Sequence, residues 1–598
     1  VSNPGAEYGG EVRCVVRIRT VKRQGDGFSY ALTSQAQQQI YDNHDFDPSW
    51  SVLDLNYRTG GWDIIGKLVY YNQHSYQISD QMSGNTFVKM PDGSVKHNLM
   101  EGPFAFIGHN SGISGDLGLN WQINENHSLG MKMNYGGMLF GNQDIVFEDN
   151  VYANDELIDI VHSTSHTTTP SSHTFTGNIY YDGNINKLHV NFNADFSDSG
   201  YKKETNVNEN SQNDPAFIEN LSDGVARMGA GKLVLSYPIW KGMFKIGTEE
   251  TYVSAKQEYN STKTEIPSSK AKIAENNISG FAEYALPFKY VQVVAGIRYE
   301  HVNFEYTNEC SPKDNINRTH NNWFPSFNAS TKIGPVGINL GYTTKIKRPR
   351  YDQLSTELQY NNRFLYQTGD PTLLNEIQNT LSLNANWRWL TLTGAYEVVD
   401  NAIYQLGYPY DDDCTAMVKY SNAKETVRKL NIYLNASPTI GIWNPRYTVG
   451  MEKQYFETTV IDPRESTGTR VVKRNDPMFF VQANNSFKLK QGWLIDLDYQ
   501  YTSPFDYVMY KFTKPKHGLN LAISKSFLKH DALNVRLAWN DILNKTKEHV
   551  CTDYGNFIHN QNNDYYSPSI QLRLSYRFNT ANSKYKGTGA GADAKSRM

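Results

Sequence analysis

Residues 567–579, SPSIQLRLSYRFN, set Ile570, Leu572, Leu574, Tyr576 and Phe578 on one side of an extended chain and Gln571, Arg573, Ser575, Arg577 and Asn579 on the other. Successive side chains of a strand point to opposite faces, so this period of two defines a β-strand with one apolar and one hydrated side. The unit recurs almost from end to end. Leu117, Leu119, Trp121 and Ile123 alternate with polar residues, NENH turns the chain, and Leu129, Met131, Met133 and Tyr135 alternate back, which is a hairpin. After DGNINK, Leu188, Val190, Phe192 and Phe196 face one way while His189, Asn191, Asn193 and Asp195 face the other.

Counting such segments from 27–38 through 566–579 gives twenty-two strands, and their connections alternate in length. TGG, NENH, PFKY, IGPV and KQG are short, whereas 138–172, 198–224, 346–377 and 541–565 are long. Short turns on one side and long loops on the other are the pattern of an outer-membrane barrel, and a soluble sandwich has no reason to keep it. The expected fold is therefore all-β: a 22-stranded antiparallel transmembrane β-barrel with short periplasmic turns and long extracellular loops. Leucines 572 and 574 would face hydrocarbon, and Arg573 and Arg577 a watery lumen.

Composition agrees. Only 39% of the residues are hydrophobic, mean hydropathy is −0.59, and no apolar run approaches the roughly 18 to 20 residues of a transmembrane helix. Yet the chain carries 40 Tyr, 27 Phe and 10 Trp beside a charged fraction of only 20%, which suits aromatic interfacial girdles around a polar interior. Net charge is −3 with the basic residues scattered, so nucleic acid is not an expected partner. Cys14, Cys310, Cys414 and Cys551 lie far apart without a C-x-x-C spacing, and any disulfide pairing among them is unreadable.

Several stretches resemble the TonB-dependent outer-membrane receptors, in particular the Bacteroidota-type outer membrane protein β-barrel family. NPGAEYGGEVRCVVRIRTVKR is similar to the last strand of their plug domain, AGIRYE (295–300) to a mid-barrel strand and FPSFNAS (324–330) to the next. TKIKRPRYDQL and TGDPTLLNEIQNTLSLNANW resemble a characteristic loop and turn, with Asp370 in place of Asn and Asn375 in place of Pro. NDILNKT resembles the penultimate-strand signature, and SYRFNTANSKYKGTGAGADAKSRM resembles the family's closing strand and extension. The resemblance implies a remnant of the plug's C-terminal strand at 1–24, a barrel at 25–579 and a flexible periplasmic tail at 580–598. It also implies that Arg17 and Arg19 contact the lumen wall. A family member carries most of its plug and its TonB-binding box ahead of such a strand.

Candidate binding residues come from the expected loops. HSTSHTTTPSSH offers His162, His166 and His173 to haem or a metal, although Ser and Thr fill every gap and a polar loop explains it as well. YPYDDDC places Asp411, Asp412 and Asp413 where a hard cation or simply solvent would meet them. Tyr351, Tyr360, Tyr366 and Tyr408 would supply stacking surfaces for an organic ligand, or girdle aromatics. GAGKL lacks the glycine and hydroxyl positions of a phosphate loop, and neither G-x-S-x-G nor H-E-x-x-H occurs, so no catalytic role and no cofactor is expected.

The expected function is an outer-membrane receptor of TonB-dependent type that binds a scarce ligand (siderophore, haem, glycan or peptide) at its extracellular loops for import. The alternative is a plug-less, non-transporting barrel serving as scaffold or subunit of an outer-membrane complex. Expected partners are outer-membrane lipid, a separate plug chain or surface lipoprotein, and TonB where a plug is supplied.

Overall fold

The computed structural model describes residues 5–12, 26–40, 47–410, 415–565, 567–579 and 586–598. Twenty-two antiparallel strands follow one another around a closed ring. The first, Gly27–Gln39, pairs with the last, Ser569–Phe578, so that Tyr30 faces Phe578, Leu32 faces Tyr576 and Ala36 faces Leu572. Closure leaves no edge, which a sheet in hydrocarbon requires because no water is there to satisfy an unpaired N–H or C=O.

The alternation sorts the two faces as expected. Leu68, Leu117, Tyr135, Ile179, Leu381, Val449 and Leu574 point outward and leave between 45% and 57% of their surface uncovered, which a soluble fold would bury. Trp62, Trp240, Tyr290, Trp389 and Trp493 gather at the short-turn end, where Trp62 and Trp121 stack with ring centroids 5.1 Å apart. That is an interfacial girdle. The short turns use left-handed backbone at Gly60 (φ 54°), Asn186 (φ 55°) and Gly334 (φ 57°), which matches the twist of tight hairpins.

At the other end the structure departs from the sequence expectation. The strands Trp62–Lys89, Val95–Asn124, His127–Ala153 and Glu156–Ile185 run for 27 to 30 residues, far beyond the roughly 9 to 11 that cross a bilayer. Stretch 138–172 is thus mainly a tall hairpin turned by Asn154 (φ 47°) and Asp155 (φ 70°), not a loop. Likewise 198–224 continues the strands Leu188–Asn210 and Ala216–Ile239. Outside the membrane both faces are wet, so the apolar alternation disappears while backbone pairing persists, helped by contacts such as Thr167 to Thr205 at 2.9 Å.

Two of the long connections fold back over the mouth. Gln359–Asn362, Leu365–Thr368, Ala416–Asn422 and Ile403–Pro409 form a four-stranded sheet of their own. On one side the Tyr360 hydroxyl donates to Glu209 at 2.8 Å and Arg363 pairs with Asp159 at 3.1 Å. On the other, Tyr404 and Thr458 share a 2.6 Å hydrogen bond, and the Gly407 N–H donates to the Tyr554 carbonyl. Asp159 and Glu209 lie on the sixth and seventh barrel strands and Thr458 on the seventeenth, so this sheet bridges distant parts of the wall.

Two further pieces lie inside the barrel. Residues 5–12 hydrogen-bond the wall: the Ala6 N–H donates to Glu283 at 3.0 Å, the Gly10 N–H to Glu300 at 3.2 Å, and Lys245 pairs with Glu7 at 2.8 Å. Residues 586–598 lie beside them, with Ala590, Ala594 and Arg597 buried. Their small residues fit between wall side chains and their cations find buried carboxylates. Arg17 and Arg19 lie outside the described residues.

Candidate functional site

The capping sheet and the upper wall line a partly open cavity of about 420 Å³. Tyr201, Lys203, Asn220, Gln257, Tyr259 and Glu357 contribute to its lining. The wall residues come from tall strands, where i and i+2 share a face: Tyr201 with Lys203, and Gln257 with Tyr259. The Tyr259 hydroxyl donates to Asn220 at 3.0 Å, which fixes both. Gln257 Oε1 is buried with no hydrogen-bond partner among the described residues. Burial raises the Glu357 carboxyl to about 7 despite the opposing influence of Gln359 and Lys203. The chamber therefore presents hydroxyl, amide and aromatic groups, the means of recognising a polar organic molecule.

A second cavity of about 440 Å³ shares Tyr201, Lys203, Gln257 and Asp352 with the first and is bounded by Arg597 and Met598. Nearby, Arg298 donates to Glu249 at 2.9 Å and to Glu300 at 2.6 Å, and Arg348 donates to the other oxygen of Glu300 at 2.5 Å. Arg348 also lies 3.5 Å from Glu11. Buried charges are stable only when paired and hydrogen-bonded, and here each guanidinium meets more than one carboxylate. Arg298 and Glu300 belong to AGIRYE, where the i, i+2 spacing sets both on the lumen face.

The sequence candidates fare differently. His162, His166 and His173 all lie on the strand Glu156–Ile185, and 11 residues at about 3.3 Å each separate the first from the last. His166 is held by Asp144 at 2.5 Å and His173 by Asp198 at 3.0 Å, so the three do not converge. Among the described residues no group of three His, Cys, Asp or Glu is placed to hold a metal ion. Asp411, Asp412 and Asp413 lie outside the described residues.

Tyr351 and Tyr366 are buried and offer no free stacking surface. Tyr351 lies under the Arg597 guanidinium, 5.0 Å from ring centroid to charge, and Tyr366 meets Tyr410 edge-on at 4.9 Å. The loop folds inward, so its aromatics become core. Tyr201, Asn220, Gln257 and Tyr259 lie beyond the strand ends that the sequence predicts, in the part of the wall where the apolar alternation has faded. Cys310 and Cys551 are free thiols.

A closed 22-stranded barrel with an apolar belt, an aromatic girdle and a capped polar chamber has the architecture of outer-membrane receptors and transporters. Residues 182–576 match the outer membrane protein beta-barrel family, and the chain belongs to it. No curated protein matches the sequence.

Among solved structures, the copper transporter OprC superposes with a TM-score of 0.62 at 10% identity, covering 94% of this chain and 82% of OprC. The FrpB iron transporter from Neisseria meningitidis (F5-1 variant) gives 0.58 at 11% identity over 93% and 83%. A double mutant of the Serratia marcescens hemophore receptor HasR, in complex with its hemophore HasA and heme, gives 0.54 at 11% over 92% and 80%. At these identities the likeness is one of fold. The protein resides in the bacterial outer membrane, with its short turns periplasmic and its tall hairpins extracellular.

Proposed function

We propose that this barrel is a receptor of TonB-dependent type that captures a scarce ligand in the chamber under the capping sheet and passes it inward for import. The observation that carries this reading is the chamber itself: about 420 Å³, lined by hydroxyl, amide and aromatic groups, with Gln257 Oε1 unpartnered among the described residues. Its volume suits a small organic ligand. The copper, iron and hemophore proteins of similar fold support an import role, and siderophore, haem, glycan and peptide remain the ligand classes to test. The reading includes the Bacteroidota-type assignment, a plug domain to which residues 5–12 belong, TonB acting through that plug, and no catalytic activity.

The test is titration of the purified protein with ferric siderophores, haemin, oligosaccharides and short peptides. One class should bind, and Gln257→Ala should weaken it by about tenfold or more, as expected where a buried hydrogen bond is lost. Failure of all four classes, or unchanged affinity in the variant, would favour the scaffold alternative.

A further inference from the structure

We propose that the lumen wall holds a binding site for a basic, small-residue peptide, formed around Asp195, Glu249 and Glu275, and that residues 586–598 of this chain are its resident ligand, docked as a stopper beneath the chamber.

Three neighbouring parts of the wall supply the carboxylates, from the strands Leu188–Asn210, Gly242–Ser261 and Ser269–Pro287. All three residues are buried, and a buried carboxylate without a cation is costly. Glu249 has Arg298 from the wall. The ion pair of Asp195 is with Lys595 and that of Glu275 is with Arg597, both from the docked segment. Among the described residues the side-chain hydrogen bonds of Glu275 come from Arg597, and the wall cations Arg348 and Arg318 act on it only through space, so the segment supplies the direct partner that the wall does not.

The backbone of the segment is read as well. Asn193 Oδ1 accepts from the N–H groups of Thr588 and Gly589 at 3.0 and 3.1 Å, and Glu249 Oε1 accepts from the Gly591 N–H at 2.9 Å. Size is selected too. Gly591 has φ +63°, and a Cβ there would lie 2.8 Å from Ala230 Cβ and 2.9 Å from Met228 Sδ. Ala590 and Ala594 are 2% and 4% exposed. The pocket left between residues 588–597 and the wall around Glu249, Glu275 and Arg298 is only about 50 Å³, so the segment packs closely on that part of the wall.

The segment also touches the receptor chamber. Arg597 lies over Tyr351, the first residue of the helical turn Tyr351–Leu354, and Asp352, Ser355 and Glu357 just beyond line the chamber. Ser596, Arg597 and Met598 bound the lower cavity. A molecule descending from the chamber meets this segment, and release of Arg597 would free the turn that supports the chamber lining.

The experiment needs no knowledge of the transported ligand. In the full chain, with Cys14, Cys310, Cys414 and Cys551 replaced by serine, Ala594→Cys provides a thiol at the buried centre of the segment, and its reaction with a water-soluble maleimide is timed. The thiol should react slowly. Lys595→Ala with Arg597→Ala, which alters the segment and leaves the wall intact, should accelerate labelling by about tenfold or more, the scale of losing charged hydrogen bonds. Glu275→Gln with Asp195→Asn should do the same from the wall side, and Glu275→Arg with Arg597→Glu should recover protection relative to Glu275→Arg alone. Rapid labelling without these changes, or equal rates with and without the Lys595 and Arg597 substitutions, would overturn the proposal. Gel mobility of unheated samples verifies that each barrel is folded, and loss of ligand binding would not mimic the result.

Discussion

Arg348 and Glu300 join the root of a capping loop to the barrel wall: the guanidinium donates to the carboxylate at 2.5 Å, and both side chains are almost wholly buried. Glu300 simultaneously accepts from Arg298 and from the backbone of Gly10. One carboxylate thus holds wall, loop and the luminal 5–12 segment in register.

Removing that carboxylate should be expensive. Glu300→Ala leaves Arg298 and Arg348 buried without their shared partner, and loss of one member of a buried ion pair typically costs about 3 to 5 kcal/mol. Denaturant unfolding in detergent should show the loss, and a change below about 1 kcal/mol, the scale of exposed pairs, would mean that water reaches the cluster freely.

The two faces of the closing strand should respond differently to charge. Leu574 points outward and is 45% uncovered, whereas Ser575 shares a 3.0 Å hydrogen bond with Thr33 on the opposite face. Leu574→Arg near mid-bilayer should cost about 2 to 4 kcal/mol in folding equilibria measured in lipid, and Ser575→Arg much less. Equal costs would show that the faces are reversed.

A titration isolates Glu357. Its carboxyl is raised to about 7, chiefly by burial, so between its ordinary value of 4.5 and about 7 the folded protein keeps a proton that the unfolded chain releases. Stability contributed by this group must therefore fall as pH rises through that window and level off above about 7. The difference in unfolding midpoint between the native chain and Glu357→Gln should follow this curve, and a difference that does not vary with pH would contradict it.

Closure itself has a simple readout. Because the first and last strands pair along Tyr30 to Gln39, the unheated protein should run faster than the boiled protein on a detergent gel. Identical mobilities would argue against a closed sheet.

The sequence by itself determined the wall. A period of two is a local property, so Leu572, Leu574 and Tyr576 announce an apolar face without knowledge of what lies across the barrel, and short turns declare themselves through residues such as Gly60 and Asn186. Strand count and the closed sheet followed. Where the strands stop did not, because above the membrane neither face is apolar and the pattern fades although hydrogen bonding continues through 138–172.

The interior was decided by tertiary structure alone. Arg597 meets Glu275 across 322 residues of sequence, and Tyr351 becomes buried because its loop folds inward against Phe304, Tyr306 and Leu373, with Arg597 over its ring. Nothing local to either partner encodes such a meeting. The chamber arises in the same way: Gln257 and Tyr201 read as ordinary polar-face residues until ring closure and the inward fold of two distant loops bring Glu357 opposite them. Alternation records which side of a strand faces oil; which charges and hydroxyls share the enclosed space depends on the curvature that closes the ring.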